Sequence, residues 1–147
     1  MKFKYLFLSL VAAIFLTSAM WEDKSLTKGS NAPVIEFNEG LIVGDDNKAE
    51  GKTKIVSFWS PKKPSSRIEN RRLSKLYGES NTEYEFISIC IDKDEALMRE
   101  VMKIDGMDTK NNFSYSQISP RVFKDYRVED SPAAFMISSD GKIIERI

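Results

Sequence analysis

The stretch Ser57-Phe58-Trp59-Ser60-Pro61-Lys62-Lys63-Pro64-Ser65-Ser66-Arg67 gathers the side chains best placed for chemistry. An apolar strand ends in Phe58-Trp59, two prolines mark a turn, and the spacing predicts a helix from about Ser66. Such a strand–turn–helix junction is where open α/β sheets present reactive groups. The groups on offer are amines, hydroxyls and a guanidinium. Ser66-Arg67-Ile68-Glu69 has the pattern of a capping box, in which the serine hydroxyl accepts from a first-turn amide and the glutamate reaches back. The plain structural reading of Ser66 is therefore a helix cap. Two chemical readings stand beside it. Free amides at a helix start, with Lys62, Lys63 and Arg67 around them, would suit a carboxylate or phosphate. A nucleophilic Ser66–Lys63 pair would need a buried, deprotonated lysine, which a wet loop does not supply.

Absences prune the chemistry further. The chain has no histidine, so Ser-His and Cys-His nucleophiles and imidazole metal sites are excluded. Asp92 and Asp94 are too few for calcium and lack the glycine-centred loop. No metal and no cofactor is expected. The single Cys90 rules out a disulfide within the chain. It lies inside an apolar run, where a cysteine behaves as a small, inert hydrophobe. An intermolecular disulfide or a lone reactive thiol is the alternative.

The elements that position these groups read as follows. Val34–Phe37 and Leu41–Val43 are short strand candidates, and Lys54–Trp59 is a strand buried on both faces. Ser66–Tyr77 is a helix with Ile68, Leu73, Leu76 and Tyr77 at helical spacing, stopped by Gly78. Phe86–Ile91 is a second buried strand. Glu95–Ile104 is a helix with Ala96, Leu97, Val101 and Ile104 on one side, stopped by Gly106. Residues 107–118 read as irregular. A short helix follows Ser119-Pro120 through Tyr126. Ala133–Ile137 and Lys142–Ile147 flank the turn Ser139-Asp140-Gly141 as a hairpin. Two parallel strands joined through a helix imply a right-handed crossover. The class is α/β, one domain over 33–147: a mixed sheet with helices on both faces and a closing hairpin.

The amino end has the make-up of a secretory signal peptide. Lys2 and Lys4 precede an apolar run from Tyr5 to Leu16, and Thr17-Ser18-Ala19 supplies small residues for cleavage after Ala19. The run is shorter than the ~18–20 residues a spanning helix needs. Residues 20–32 are polar and read as a flexible lead-in. Export to the periplasm or cell envelope is the expectation. Removing Lys2 and Lys4 with that segment leaves 20 basic against 22 acidic residues, a net charge near −2. This balance offers no basic face for nucleic acid and none for a membrane surface.

The element order and four local strings resemble the thioredoxin-like fold, closest to exported thiol–disulfide oxidoreductases and the peroxiredoxin-related branch. "GKTKIVSFWS" is similar to the family's central strand. Arg67, Glu69, Leu73, Leu76 and Tyr77 fall where its first helix carries the same residue types, with Arg71 in place of a helix-kinking proline. "YEFISICIDKD" resembles the next strand with its acidic exit. "YRVEDSPAAFMISSDGKII" resembles the cis-proline loop and closing hairpin. The resemblance implies a cis Ser131–Pro132 bond, and a loop of Trp59, Ser131 and Pro132 that holds an extended peptide.

The departure falls on the chemistry. The family's two redox cysteines would stand at positions 63 and 66. Here they are Lys63 and Ser66, with Pro64 and Ser65 between them. An amine and a hydroxyl replace neither a thiolate nucleophile nor a resolving thiol. The expectation is a redox-inactive binding or assembly module of the envelope, with a protein or peptide partner. The alternative is a thiol–disulfide or antioxidant enzyme acting through Cys90 or through a partner's cysteines. Relatives usually add a final helix after the hairpin. With none here, some of Phe135, Ile137, Ile143 or Ile144 must face solvent or find another cover, which favours a homodimer or a partner on that face, the alternative being that the amino-terminal strands or the 107–118 loop fold over it.

Overall fold

The computed structural model describes residues 26–38, 42–43, 51–78, 81–108 and 110–147. The signal-peptide reading of residues 1–19 lies outside them. Two short strands, β1 (Ile35–Glu36) and β2 (Ile42–Val43), pair antiparallel. There follow β3 (Thr53–Trp59), α1 (Pro64–Tyr77), β4 (Tyr84–Cys90), α2 (Glu95–Asp105) and β5 (Asn112–Phe113). A 3-10 turn at Tyr115–Gln117, α3 (Pro120–Asp125), β6 (Ala133–Ile137) and β7 (Ile143–Arg146) complete the chain. The main sheet has the order β5-β4-β3-β6-β7. Its β3, β4 and β5 run parallel, while β6 and β7 are antiparallel to their neighbours. β5 was not legible in the 107–118 stretch, because two residues give no alternation to read.

Strand alternation divides the core. Val56, Phe58, Ile87, Ile89, Phe135 and Ile137 point to one face and meet Val122, Phe123 and Tyr126 of the α3 region. Phe58 and Tyr126 lie 4.8 Å apart between ring centroids, and Tyr126 and Phe135 5.2 Å. Such pairs contribute about 0.5–1.5 kcal/mol each beyond their burial. The opposite face carries Ile55, Phe86 and Ala134 under Leu73 of α1, and Trp59 and Cys90 under Met98, Val101 and Met102 of α2.

Both helices bury a different stripe from the one their apolar residues suggest. On α1 the buried residues are Asn70 and Leu73, while Ile68 and Leu76 are 69% and 52% exposed. The inward side runs Ser66, Asn70, Leu73, Tyr77, and its polar member is satisfied: Ser88 Oγ on β4 donates to Asn70 Oδ1 at 3.1 Å. On α2 the buried residues are Met98, Val101 and Met102, while Ala96 and Ile104 are exposed. Gly78 is required at the end of α1, where a Cβ would meet the Ser74 carbonyl oxygen at 2.4 Å. Gly106 caps α2 in the left-handed region, φ 63°.

Two sequence expectations are overturned here. The lead-in is not free over its second part. Gly29 N–H donates to the Ile143 carbonyl at 2.8 Å, Ile143 N–H to the Ser30 carbonyl at 2.9 Å, and Ala32 N–H to the Gly141 carbonyl at 2.8 Å. Leu26 and Ala32 pack on the core. The second correction follows from the first. Phe135, Ile137 and Ile143 are buried, and Ile144 is half-buried. Although no helix follows β7 among the described residues, the amino-terminal segment with Ile35 and Phe37 covers the face that Phe135, Ile137 and Ile143 share. Tyr126 locks it in place, its buried hydroxyl donating to the Pro33 carbonyl at 2.7 Å. The argument for a homodimer through these side chains falls away.

Candidate functional site: a closed loop at the redox position

The parallel register brings the ends of β3 and β4 side by side, with Trp59 opposite Cys90. The loop after Trp59 therefore meets the loop after Cys90, and Asp92 becomes its nearest charge. Lys62 Nζ donates to Asp92 Oδ1 at 2.8 Å, and Ser60 Oγ donates to Asp92 Oδ2 at 3.4 Å. Burial acts to raise the Asp92 pKa, but the hydrogen bond from Lys62 and its neighbours outweighs this and holds the carboxyl below its usual range. The same hydrogen bond raises the Lys62 ammonium.

α1 starts earlier than its capping pattern predicts. Lys63 is the N-cap, without a side-chain cap bond, and Pro64 occupies the first turn. Proline is favoured there because its fixed φ suits the helix and its missing N–H would be unpaired anyway. Ser66 is thus inside the helix. Its Oγ accepts from the Ser60 backbone N–H at 3.0 Å, closing the loop from strand to helix. Glu69 pairs with Arg72 instead of reaching back. The capping-box reading of Ser66 and Glu69 is wrong in detail, and the cause is Pro64, which sets the helix start two residues upstream.

The cations of the supposed anion site are all engaged. Lys63 Nζ donates to the Asp130 carbonyl oxygen. Arg67 grips Asp105 with two bonds, Nε to Oδ2 at 2.5 Å and Nη2 to Oδ1 at 2.7 Å, tying α1 to the end of α2. These bonds depress the Asp105 carboxyl pKa. Asp105 and Asp130 had no sequence signal, since only the packing of α2 and of the β6 approach brings them here.

The proline loop departs from its expectation. Every peptide bond among the described residues is trans, Ser131–Pro132 included. The Asp130 carbonyl is bonded by Lys63, the chain bends through Ser131, and β6 begins at Ala133. Trp59 is fully buried between β3 and α2 and offers no surface to a peptide. Ser131 is exposed and Pro132 half-buried. What remains beside the loop is a groove of about 240 Å³, lined by Lys63, Ser66, Glu69, Pro132, Ala134 and Ile147 among others. α1 runs through Arg71 without interruption, as the absence of proline there implied.

Cys90 is fully buried. Burial pushes its thiol from 9.0 up to about 11, and its Sγ lies 3.6 Å from the Asp92 carbonyl, a weak donor contact. The loop at 60–66 carries no thiol, and no cluster of metal-ligating His, Cys, Asp or Glu occurs among the described residues.

No protein-family model matches the chain, and no curated protein matches it. Solved structures do. A thioredoxin-like protein from Parabacteroides distasonis superposes with a TM-score of 0.67 at 24% identity, covering 83% of this chain and 88% of that one. The thioredoxin domain of a thiol–disulfide oxidoreductase from Bacteroides vulgatus gives 0.61 at 22% identity, covering 83% and 89%. A secreted disulfide oxidoreductase from Mycobacterium tuberculosis gives 0.57 at 20% identity, covering 79% and 82%. With the strand order, the crossover helices and the closing hairpin, these superpositions establish a thioredoxin-like fold shared with thiol–disulfide oxidoreductases, in a chain whose one cysteine leaves the paired-cysteine motif missing.

Proposed function

We propose that this protein is a redox-inactive binding or assembly module of the cell envelope. The observation that carries the reading is the state of the loop at 60–66. Lys63 and Ser66 stand at the redox positions, and each is tied into the scaffold, to the Asp130 carbonyl and the Ser60 amide. Dithiol exchange needs an exposed thiolate and a second thiol beside it. The chain has one thiol, sealed under α2 and poorly acidic. That burial also weighs against an enzyme acting through Cys90. Envelope location is supported by the signal-like amino end and by the secreted M. tuberculosis protein of the same fold. No helix among the described residues is long and apolar enough to cross a membrane. The partner is a protein or peptide segment, and the groove by Lys63, Pro132 and Ile147 is its docking place. A segment there contacts side chains, because the Asp130 carbonyl is taken by Lys63 and the Ala134 carbonyl by the Ile147 amide at 2.8 Å.

Insulin-reduction and peroxidase assays on the wild type, beside co-purification from the native envelope with and without Glu69→Lys, test the reading. The expected result is background turnover and a captured protein lost in the variant. Turnover by the wild type, or capture indifferent to the groove, would overturn it.

A further inference from the structure

Sulfur-bearing side chains gather beneath α2. Met98 and Met102 are buried there with Cys90 and Trp59, and Met107 packs against the same cluster. Met107 is held by the way α2 ends. Gly106 takes the left-handed conformation, its N–H donates to the Lys103 carbonyl, and the Met107 N–H donates to the Met102 carbonyl at 2.9 Å. This pair of bonds turns the chain back, so that the residue after the glycine packs on the last turn of the helix. Met107 therefore lies half-buried at the rim, while Met98 and Met102 are each 4% exposed.

The polar groups beside these thioethers are donors short of a good acceptor. Asn70 on α1 is fully buried, and its Oδ1 accepts from Ser88. Its Nδ2 carries two hydrogens, and among the described residues its acceptor is the Met107 Sδ at 3.7 Å. A thioether sulfur accepts only weakly. The Trp59 indole N–H, in the same cluster, is buried with no hydrogen-bond partner among the described residues. Oxidising a methionine in a core ordinarily disrupts it, because the new oxygen is polar and finds no partner. At Met107 the oxygen arrives beside an amide that lacks one. A sulfinyl oxygen set off the N···S line makes a hydrogen bond of ordinary length, ~2.9 Å, within the present 3.7 Å separation.

We propose that Met107 is a site of reversible oxidation by hydroperoxides and that Asn70 holds its sulfoxide. In the forward step a lone pair of Sδ takes one oxygen from the peroxide. An S–O bond forms, the O–O bond breaks, and the second oxygen leaves as water or an alcohol with the proton of the transferred one. Sulfur loses two electrons and the peroxide gains them. Methionine sulfoxide reductases reverse the step, oxidising two thiols to a disulfide and releasing the oxygen as water. The sulfoxide replaces a weak contact by a full hydrogen bond and fastens α1 to the end of α2. Oxidation here stabilises the fold instead of loosening it.

Hydrogen peroxide added to the Met136→Leu protein tests this, since Met136 is the other half-buried thioether among the described residues. Peptide mapping by mass spectrometry should find Met107 oxidised at least about tenfold faster than Met98 and Met102, which wait for the core to open. In nitrogen-15 spectra the Asn70 side-chain amide should shift downfield as Met107 is oxidised, and the urea midpoint should hold or rise. Met107→Gln places a carbonyl oxygen near the sulfinyl position without any oxidant, and its urea midpoint should be no lower than that of Met107→Leu. With Asn70→Ala and Ser88→Ala added to both, Met107→Gln should become the less stable of the two. Met98 or Met102 oxidising as fast as Met107, an Asn70 amide that does not move, or a lower midpoint after oxidation would each overturn the proposal. So would Met107→Gln falling below Met107→Leu with Asn70 present, or an order of the two that survives the loss of Asn70.

Discussion

The thiol of Cys90 should resist alkylation in the folded protein and react only when the chain opens. The pKa of about 11 against an ordinary 9.0 sets the first part of the effect. At pH 8 an unburied thiol of this kind is about one-tenth thiolate and Cys90 about one-thousandth, roughly a hundredfold deficit in the reactive form. Access adds a second factor, since the side chain is fully buried under Met98, Val101 and Met102. Labelling then waits for opening of the core, a state populated at about one part in a thousand or less for a protein of ordinary stability. The same burial makes stability depend on pH. Between pH 9 and about 11 the folded state holds a proton that the unfolded state has released. The folded pKa is the higher one, so the contribution is present below pH 9 and lost as pH rises through 11, about 1.4 kcal/mol per pH unit and ~3 kcal/mol in all. Urea unfolding of wild type and Cys90→Ala at pH 8 and pH 11, with thiol labelling at pH 8, measures both. The wild type should lose stability relative to the variant across that window. Labelling as fast in buffer as in urea, or parallel pH profiles for the two proteins, would refute the burial argument and reopen a single-thiol enzyme.

Asn70→Ala strands the Ser88 hydroxyl beneath α1 and should cost about 1–3 kcal/mol in urea unfolding, part of it recovered by adding Ser88→Ala. Tyr126→Phe removes the bond to the Pro33 carbonyl and should cost about 1 kcal/mol, with faster proteolysis ahead of residue 33. The Asp105 carboxyl is held below its ordinary range by Arg67, so its contribution is present above the unfolded carboxylate pKa and lost as pH falls through the folded one. Asp105→Asn should therefore lower the urea midpoint more at pH 7 than at pH 3, and equal gaps at both would count against the pairing. Lys63→Cys with Ser66→Cys should create a reducible disulfide at the start of α1, read by a redox titration; failure of the two thiols to pair would put the assignment of positions 63 and 66 in doubt.

The sequence by itself determined the fold. Two continuous apolar runs, the glycines at 78 and 106, Pro120 and the Asp140-Gly141 turn each mark an element locally, so strand–helix–strand–helix–helix–hairpin follows from short-range chemistry. The absence of a cysteine pair was also visible, since one Cys90 in the whole chain needs no coordinates to count. Tertiary structure decided what those residues do. Pro64 shifted the helix start and turned Ser66 from a cap into an acceptor for Ser60. The partners of Lys62, Lys63 and Arg67 are Asp92, Asp130 and Asp105, between 30 and 67 positions away, joined only through the sheet register and the packing of α2. Which stripe of α1 faces inward was set by Ser88 waiting beneath Asn70, a polar match that apolar periodicity does not register. The cover over Phe135 and Ile143 came from the amino-terminal segment, whose backbone bonds to Gly141 and Ile143 bring Leu26, Ala32, Ile35 and Phe37 against the core. Backbone hydrogen bonds carry no residue signature, and so a segment that uses them reads in the sequence as a loop.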